Sequence, residues 1–347
     1  MIAVAAATAL WCSNCTAGQE PSDTSPEATD AGSSSTGGAT GDPELVESLG
    51  QTFGDDVDRA AAVLVARDTV RSAFVNADET TMFEFGSISK ALLGLLLAEA
   101  VERGEVAPDD PVGAYLDLGS SDATAVTLEQ LATHHAGLPL LPSESDDADP
   151  FPDAPGMLSG LVAGIDLPAE PEPEYSNVGA ALLGAALSAG SGMPYAELLR
   201  DRVLDPAGMD DAVVVSSRAD VPSTLEPGYT LAGIAVEPWT FGDYAPAGGV
   251  AGTAVDLTAL ARAVLDGPFS ESAALDPHLQ LNTRASVGYL WFIDEQPGRT
   301  LTLHDGTTGG YSASLLVDRD SGVAAAVLWN APGDAQEVAR RLLLLAD

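Results

Sequence analysis

Apolar and polar positions change rhythm three times along this chain. Ala60 to Ala66 and Arg71 to Asn76 are short runs of β character around a charged turn, which predicts a hairpin. Ser87 then opens a strongly helical run, Ala91 to Arg103, that Gly104 ends. Between Glu105 and about Thr240 the pattern predicts helices joined by proline-rich loops. Thr127 and Gln130 form a capping box ahead of Leu128 to Thr133, and Asn177 to Ala189 is a continuous small-apolar helix closed by Gly190. The stretch Asp146 to Glu174 is dense in prolines and acids and reads as a long surface loop. Beyond Ala245, Thr253 caps a helix over Val255 to Leu265. Tyr289 to Ile293, Leu301 to His304, Ala313 to Asp318 and Val323 to Trp329 then read as consecutive strands, and Glu337 to Leu345 as a closing helix.

Strands at both ends with helices between predict an α+β fold. An antiparallel sheet lobe flanked by helices is built from both chain ends, about residues 45–103 and 240–347, with an all-helical lobe inserted over about 104–239. The groove between the lobes is the natural place for a site.

Ahead of this domain, taken as 45–347, residues 16–44 form a disordered acidic linker of Ser, Gly and Pro with no apolar face to offset the entropy of ordering. Residues 1–15 read as an export signal and lipid attachment region. Met1 to Leu10 is an apolar run too short to span a bilayer, and the positive residues expected ahead of it are missing. Cys12 and Cys15, the only cysteines, follow it directly. With no second pair or nearby histidine to complete a metal site, a membrane tether through one of them is the functional reading, although Trp11 and Asn14 depart from the small residues such sites prefer. An exported protein, periplasmic or extracellular, is expected.

Composition narrows the partners. Among 347 residues, 52 acidic side chains face 14 basic ones, a net charge of −38. Such a field repels phosphate backbones, so no nucleic acid is expected, and the plain reading of the charge is a surface adapted to salty surroundings. The hydrophobic fraction of 46% is that of a globular chain with a full core.

Candidate chemistry begins with Lys90, the only lysine, in Phe85 Gly86 Ser87 Ile88 Ser89 Lys90. Arginine stays protonated in proteins, whereas lysine can be made a usable base by burial or a cationic neighbour. On a helix, residues i and i+3 share a face, so the Lys90 amine can reach the Ser87 hydroxyl and activate it as a nucleophile. Two further elements follow in order: Tyr175 Ser176 Asn177 immediately before a helix, and His304 Asp305 Gly306 Thr307 Thr308 Gly309 Gly310 at a strand end.

With these motifs the chain resembles the serine β-lactamase and D-alanyl-D-alanine peptidase superfamily, specifically its class C-like branch of β-lactamase-related hydrolases and esterases. The likeness extends to the segment Thr127 to Pro139, to Leu204 Asp205 Pro206 Ala207 Gly208 Met209, and to Ala245 Pro246 Ala247 Gly248 Gly249, and runs from about residue 57 to the C-terminus. The resemblance implies a β-lactamase/transpeptidase-like fold, Ser87 as acylating nucleophile, Lys90 as its base and Tyr175 as a phenol exchanging protons with that pair. It implies that Asn177 holds the acyl side of the substrate and helps orient Lys90. His304 stands where class C enzymes have lysine, and the N–H groups of Ser87 and Thr307 form the oxyanion hole, with Gly306 allowing close approach. The adjacent His134 and His135 take structural places, and neither metal nor other cofactor is needed.

Three departures bear on the substrate. Ala136 occupies a place usually held by serine. Asp305, in the variable middle of the third motif, would repel an incoming carboxylate, and His304 removes a permanent positive charge. The expected function is therefore an acyl-enzyme serine hydrolase acting on a small-molecule ester, amide or peptidoglycan-like substrate, esterase-like rather than β-lactamase-like. A D-amino-acid peptidase or β-lactamase of the same family is the alternative. An exported binding protein that kept the fold without turnover is the rival of another class, and intact Ser87, Lys90 and Tyr175 argue against it. The oligomeric state stays open.

Overall fold

Apolar runs from the two chain ends pair with each other. In a computed structural model that describes residues 38–53, 58–66, 69–141, 162 and 165–346, the N-terminal strands β1 (Ala39–Gly41), β2 (Ala60–Ala66) and β3 (Thr69–Val75) join a C-terminal set. That set is β9 (Leu279–Gln280), β10 (Ala285–Val287), β11 (Phe292–Gln296), β12 (Arg299–Thr307), β13 (Ser312–Asp318) and β14 (Val323–Trp329). Among the described residues these nine strands form one sheet in the order β1-β3-β2-β14-β13-β12-β11-β10-β9, every neighbour antiparallel. The seam is β2 on β14, where Ala66 lies beside Val323 and Ala60 beside Trp329.

Both faces of the sheet are covered, which is why its central strands read as unbroken apolar runs rather than alternating ones. Ala61, Val63 and Val65 of β2 enter one core with α2 (Ile88–Glu102) and α5 (Ala254–Leu265). Ala60, Ala62 and Leu64 enter the other, with α1 (Pro43–Phe53) and α6 (Ala335–Leu343). The first core is continuous with the helical region, including α3 (Leu128–Ala132) and α4 (Asn177–Ser191). Helix α2 is apolar all round because it lies between sheet and helices. Leu92, Leu93, Leu95, Leu96 and Leu97 are fully buried, each contributing about 1.5–3 kcal/mol. Gly94 lets it approach closely: a Cβ there would sit 1.8 Å from the carbonyl oxygen of Tyr289. Two small sheets complete the frame. One orders β4 (Phe83–Glu84), β8 (Val250–Gly252) and β5 (Val213–Val214); the other pairs β6 (Gly228–Tyr229) with β7 (Ala235–Val236).

Two expectations change. Ordered structure begins before residue 45, inside the stretch taken as linker: Ala39 to Gly41 add a strand to β3, and Asp42 starts α1 by accepting from the Glu44 and Leu45 amides. A three-residue strand has no apolar signature, since only its backbone is used. Tyr289 to Trp291 is a connection rather than a strand, because the Tyr289 and Leu290 amides are spent on the Ala274 and Ala132 carbonyls. Capping of α4 falls to Ser176, whose hydroxyl accepts from the Gly179 amide. The expected export segment 1–15, residues 16–37 of the linker and most of the proline-rich stretch lie outside the described residues.

Candidate active site

Strand β4 ends at Glu84, and Gly86, at φ +52, turns the chain sharply into α2. Ser87 takes the N-cap position but makes no side-chain cap, so its hydroxyl is left for other chemistry at the positive end of a fifteen-residue helix. One turn on, Lys90 is as buried as the leucines around it, and its Nζ lies 3.1 Å from Ser87 Oγ. The amine also donates to the Ala247 carbonyl and sits 4.8 Å from the centre of the Tyr175 ring. The i, i+3 spacing thus becomes a contact, and Tyr175 joins it from the segment leading into α4. The segment Ala245 to Gly249 was read only as part of the resemblance, with no role for Ala247; its carbonyl belongs to Ala245–Gly248, a turn of helix whose sequence carries no sign of an acceptor aimed at an amine.

Asn177, the first residue of α4, is 9% exposed and anchored by its amide to the Leu140 carbonyl. Two residues earlier, Tyr175 is packed among rings. Its centre lies 4.5 Å from that of His134 and 6.4 Å from those of Phe292 and His304.

The third motif lies at the end of β12, where alternation decides which side chains face the site. His304 points toward Tyr175 and Phe292 and is 2% exposed. Its Nδ1 lies 2.7 Å from the Asp305 carbonyl oxygen, so Nδ1 carries the proton and Nε2 is left buried without a hydrogen-bond partner. Burial, and secondarily the nearby Lys90 charge, push the imidazole down to about 3, so it is neutral at physiological pH. Asp305 faces the opposite way. Ser314 Oγ donates to its carboxylate at 2.6 Å and Gln336 Nε2, from α6, donates to the other oxygen. The expectation that Asp305 would repel a substrate carboxylate is therefore corrected: a strand turns successive side chains to opposite faces, and with His304 toward the cleft Asp305 must lie under α6.

Gly306 and Gly86 bring the Ser87 and Thr307 amides together. A Cβ at Gly306 would fall 1.9 Å from the Phe85 carbonyl oxygen and 3.0 Å from Ser87 N; one at Gly86 would fall 2.9 Å from Thr307 N. Only two backbones without side chains fit here. Thr307 itself is exposed.

Beneath this junction lies a group that sequence reading passed over. Glu84 is 5% exposed and accepts from the Trp239 amide at 2.9 Å. Desolvation pushes its carboxyl up to about 7. The two adjacent histidines separate: His135 Nε2 meets the Pro171 carbonyl, while His134 turns inward to Tyr175.

A family model described as Beta-lactamase matches residues 51–347. Relatives include Putative beta-lactamase-like 1 of Homo sapiens, 28% identical over 261 residues that make up 69% of this chain and 52% of the human protein, about half its length. Penicillin-binding protein 4 of Amycolatopsis lactamdurans is 26% identical over 290 residues, 75% of each chain. Among solved structures, the D-stereospecific amidohydrolase from Streptomyces sp. superposes with a TM-score of 0.73 at 22% identity, covering 85% of this chain and 96% of that one. The class C beta lactamase from Rhodobacter sphaeroides does so with 0.73 at 22%, covering 87% and 97%. At that identity the likeness is one of fold.

Proposed function

The chain belongs to the beta-lactamase family, and on that premise we propose that it is a serine hydrolase forming an acyl-enzyme at Ser87, with neutral esters preferred over β-lactams. The observation that carries the reading is Lys90 Nζ at 3.1 Å from a Ser87 hydroxyl that caps nothing. Lys90 takes the Ser87 proton as Oγ attacks the substrate carbonyl. The oxyanion that develops is met by the Ser87 and Thr307 amides at the helix N-terminus, and Tyr175 passes a proton toward the leaving group. Water then releases the acyl chain by the reverse proton path.

The ester preference rests on His304. Its neutral ring offers a substrate carboxylate no charge partner, and a carboxylate brought into the groove sheds water without compensation. Neutral acyl esters avoid that loss. Export and attachment to a membrane through Cys12 or Cys15 complete the proposal; lipid labelling of cells expressing Cys12→Ser or Cys15→Ser tests it.

Covalent labelling by a fluorophosphonate, mapped to Ser87, separates an enzyme from a binding protein that kept the fold. Ser87→Ala should abolish labelling and cost on the order of 10³-fold or more in ester turnover. Lys90→Arg should be nearly as damaging, because arginine keeps the charge but cannot accept the proton. Full activity in Lys90→Arg removes Lys90 from its role, and nitrocefin turnover that outruns short p-nitrophenyl esters overturns the substrate preference alone.

A further inference from the structure

We propose that His134 is a positioning residue for Tyr175, acting through its Nδ1 lone pair to fix the phenol against the Ser87–Lys90 pair. The inference rests on the reading of Tyr175 as the proton carrier of that pair.

His134 follows the C-terminus of α3 and holds φ at +56, a left-handed conformation uncommon outside glycine, which Asn, Asp and His adopt more readily than other side chains. From that backbone it reaches the segment before α4 twice. The His134 carbonyl accepts from the Glu174 amide at 2.8 Å, and His134 Nδ1 accepts from the Ser176 amide at 3.2 Å. These two bonds stand on either side of Tyr175, one residue before it and one after. Between them the imidazole lies over the phenol ring, centres 4.5 Å apart.

Because Nδ1 accepts, the ring proton sits on Nε2, and that N–H is buried without a hydrogen-bond partner. A side chain kept only to fill space has no need of an unpaired donor, which is tolerated here for what Nδ1 and the ring face do. Burial, with Lys90 and His304 adding to it, holds the ring well below its ordinary titration range, so the accepting lone pair persists across the working pH range. Displacing the Ser176 amide would let Tyr175 rotate about its own backbone, and a shift of about 1 Å at a reacting group costs on the order of 10²-fold.

The amide side chains of Asn and Gln separate the two ring nitrogens. Asparagine places Oδ1 close to Nδ1 and tolerates the left-handed backbone, while glutamine reaches toward Nε2 and gives up the Nδ1 acceptor. In the full chain, with ester kinetics measured well below each variant's Tm, His134→Asn should keep kcat within about threefold. His134→Gln and His134→Leu should lose on the order of 10²-fold in kcat with KM little changed, as for interactions felt only in the transition state. Adding His134→Leu to Tyr175→Phe should cost almost nothing more, since both act on one phenol. Equal losses in His134→Asn and His134→Leu, or losses that multiply in the double variant, overturn the proposal while fluorophosphonate labelling of wild-type Ser87 continues. Failure of wild-type Ser87 to label removes the reading beneath it, and the proposal falls with it.

Discussion

Glu84 holds its carboxyl where water does not follow, three residues before Ser87. Its folded pKa, about 7, lies above the ordinary 4.5, so between those values the native state binds more protons than the unfolded chain and stability falls as pH rises. Above pH 7 the full cost is present, about 3 kcal/mol for a shift of this size in a group so buried. Gln at this position accepts from the Trp239 amide without ionising. Thermal melts of Glu84→Gln and wild type should nearly coincide at pH 5 and separate by about 5 °C in favour of the variant at pH 8. A constant gap across that range would locate the ionisation elsewhere. Single residues were legible in the sequence where their meaning is local: Ser87 and Lys90 need only one turn of helix to meet. Glu84 and His134 were not, because their partners Trp239 and Tyr175 lie far along the chain and no periodicity announces a contact of that kind.

Strand β12 shows the same limit for whole elements. Its existence and end were readable from Leu301 to His304, yet the facing of each side chain depends on what covers the sheet, and helices cover both sides. With apolar residues on both faces, alternation gives no polarity to orient the strand, and Asp305 could be assigned to the cleft from motif position alone. The structure reverses the consequence. Asp305→Thr should leave the ratio of ester to nitrocefin turnover within about twofold of wild type, because the changed side chain lies under α6 rather than in the groove. A shift toward nitrocefin of about tenfold, equivalent to about 1.4 kcal/mol, would mean that the carboxylate acts on the substrate after all. Helix α4, by contrast, was legible from its first residue, since an unbroken small-apolar run has only one regular structure open to it; the end read at Gly190 falls two residues later, at left-handed Gly192.

At the scale of the molecule, the N-terminal boundary is held by one arginine. Arg71 of β3 donates through Nε and Nη2 to the Asp42 carboxylate, both at 2.8 Å, and also to Glu44 and to the Leu345 carbonyl, so it ties the start of α1 and the segment after α6 to the sheet. That pairing and its hydrogen bonds hold Asp42 below the usual carboxylate range. Removing residues 1–37 should leave Tm unchanged, whereas removing 1–44 takes away β1, the α1 cap and two carboxylates of Arg71, and should lower Tm by about 5 °C. For either protein, raising sodium chloride from 0.1 to 1 M should raise Tm by screening the repulsion within a chain of charge −38; a fall would show that paired charges outweigh it. The seam where β2 meets β14 has a temporal consequence as well. A ribosome makes Ser87 and Lys90 early, on a helix whose covering sheet lacks its middle until the last strands emerge, since Ala60 to Ala66 have no neighbour on that side before Val323 to Trp329 exist. Nascent chains halted before residue 320 should thus carry Ser87 without labelling by a fluorophosphonate, as inert precursors of the finished protein.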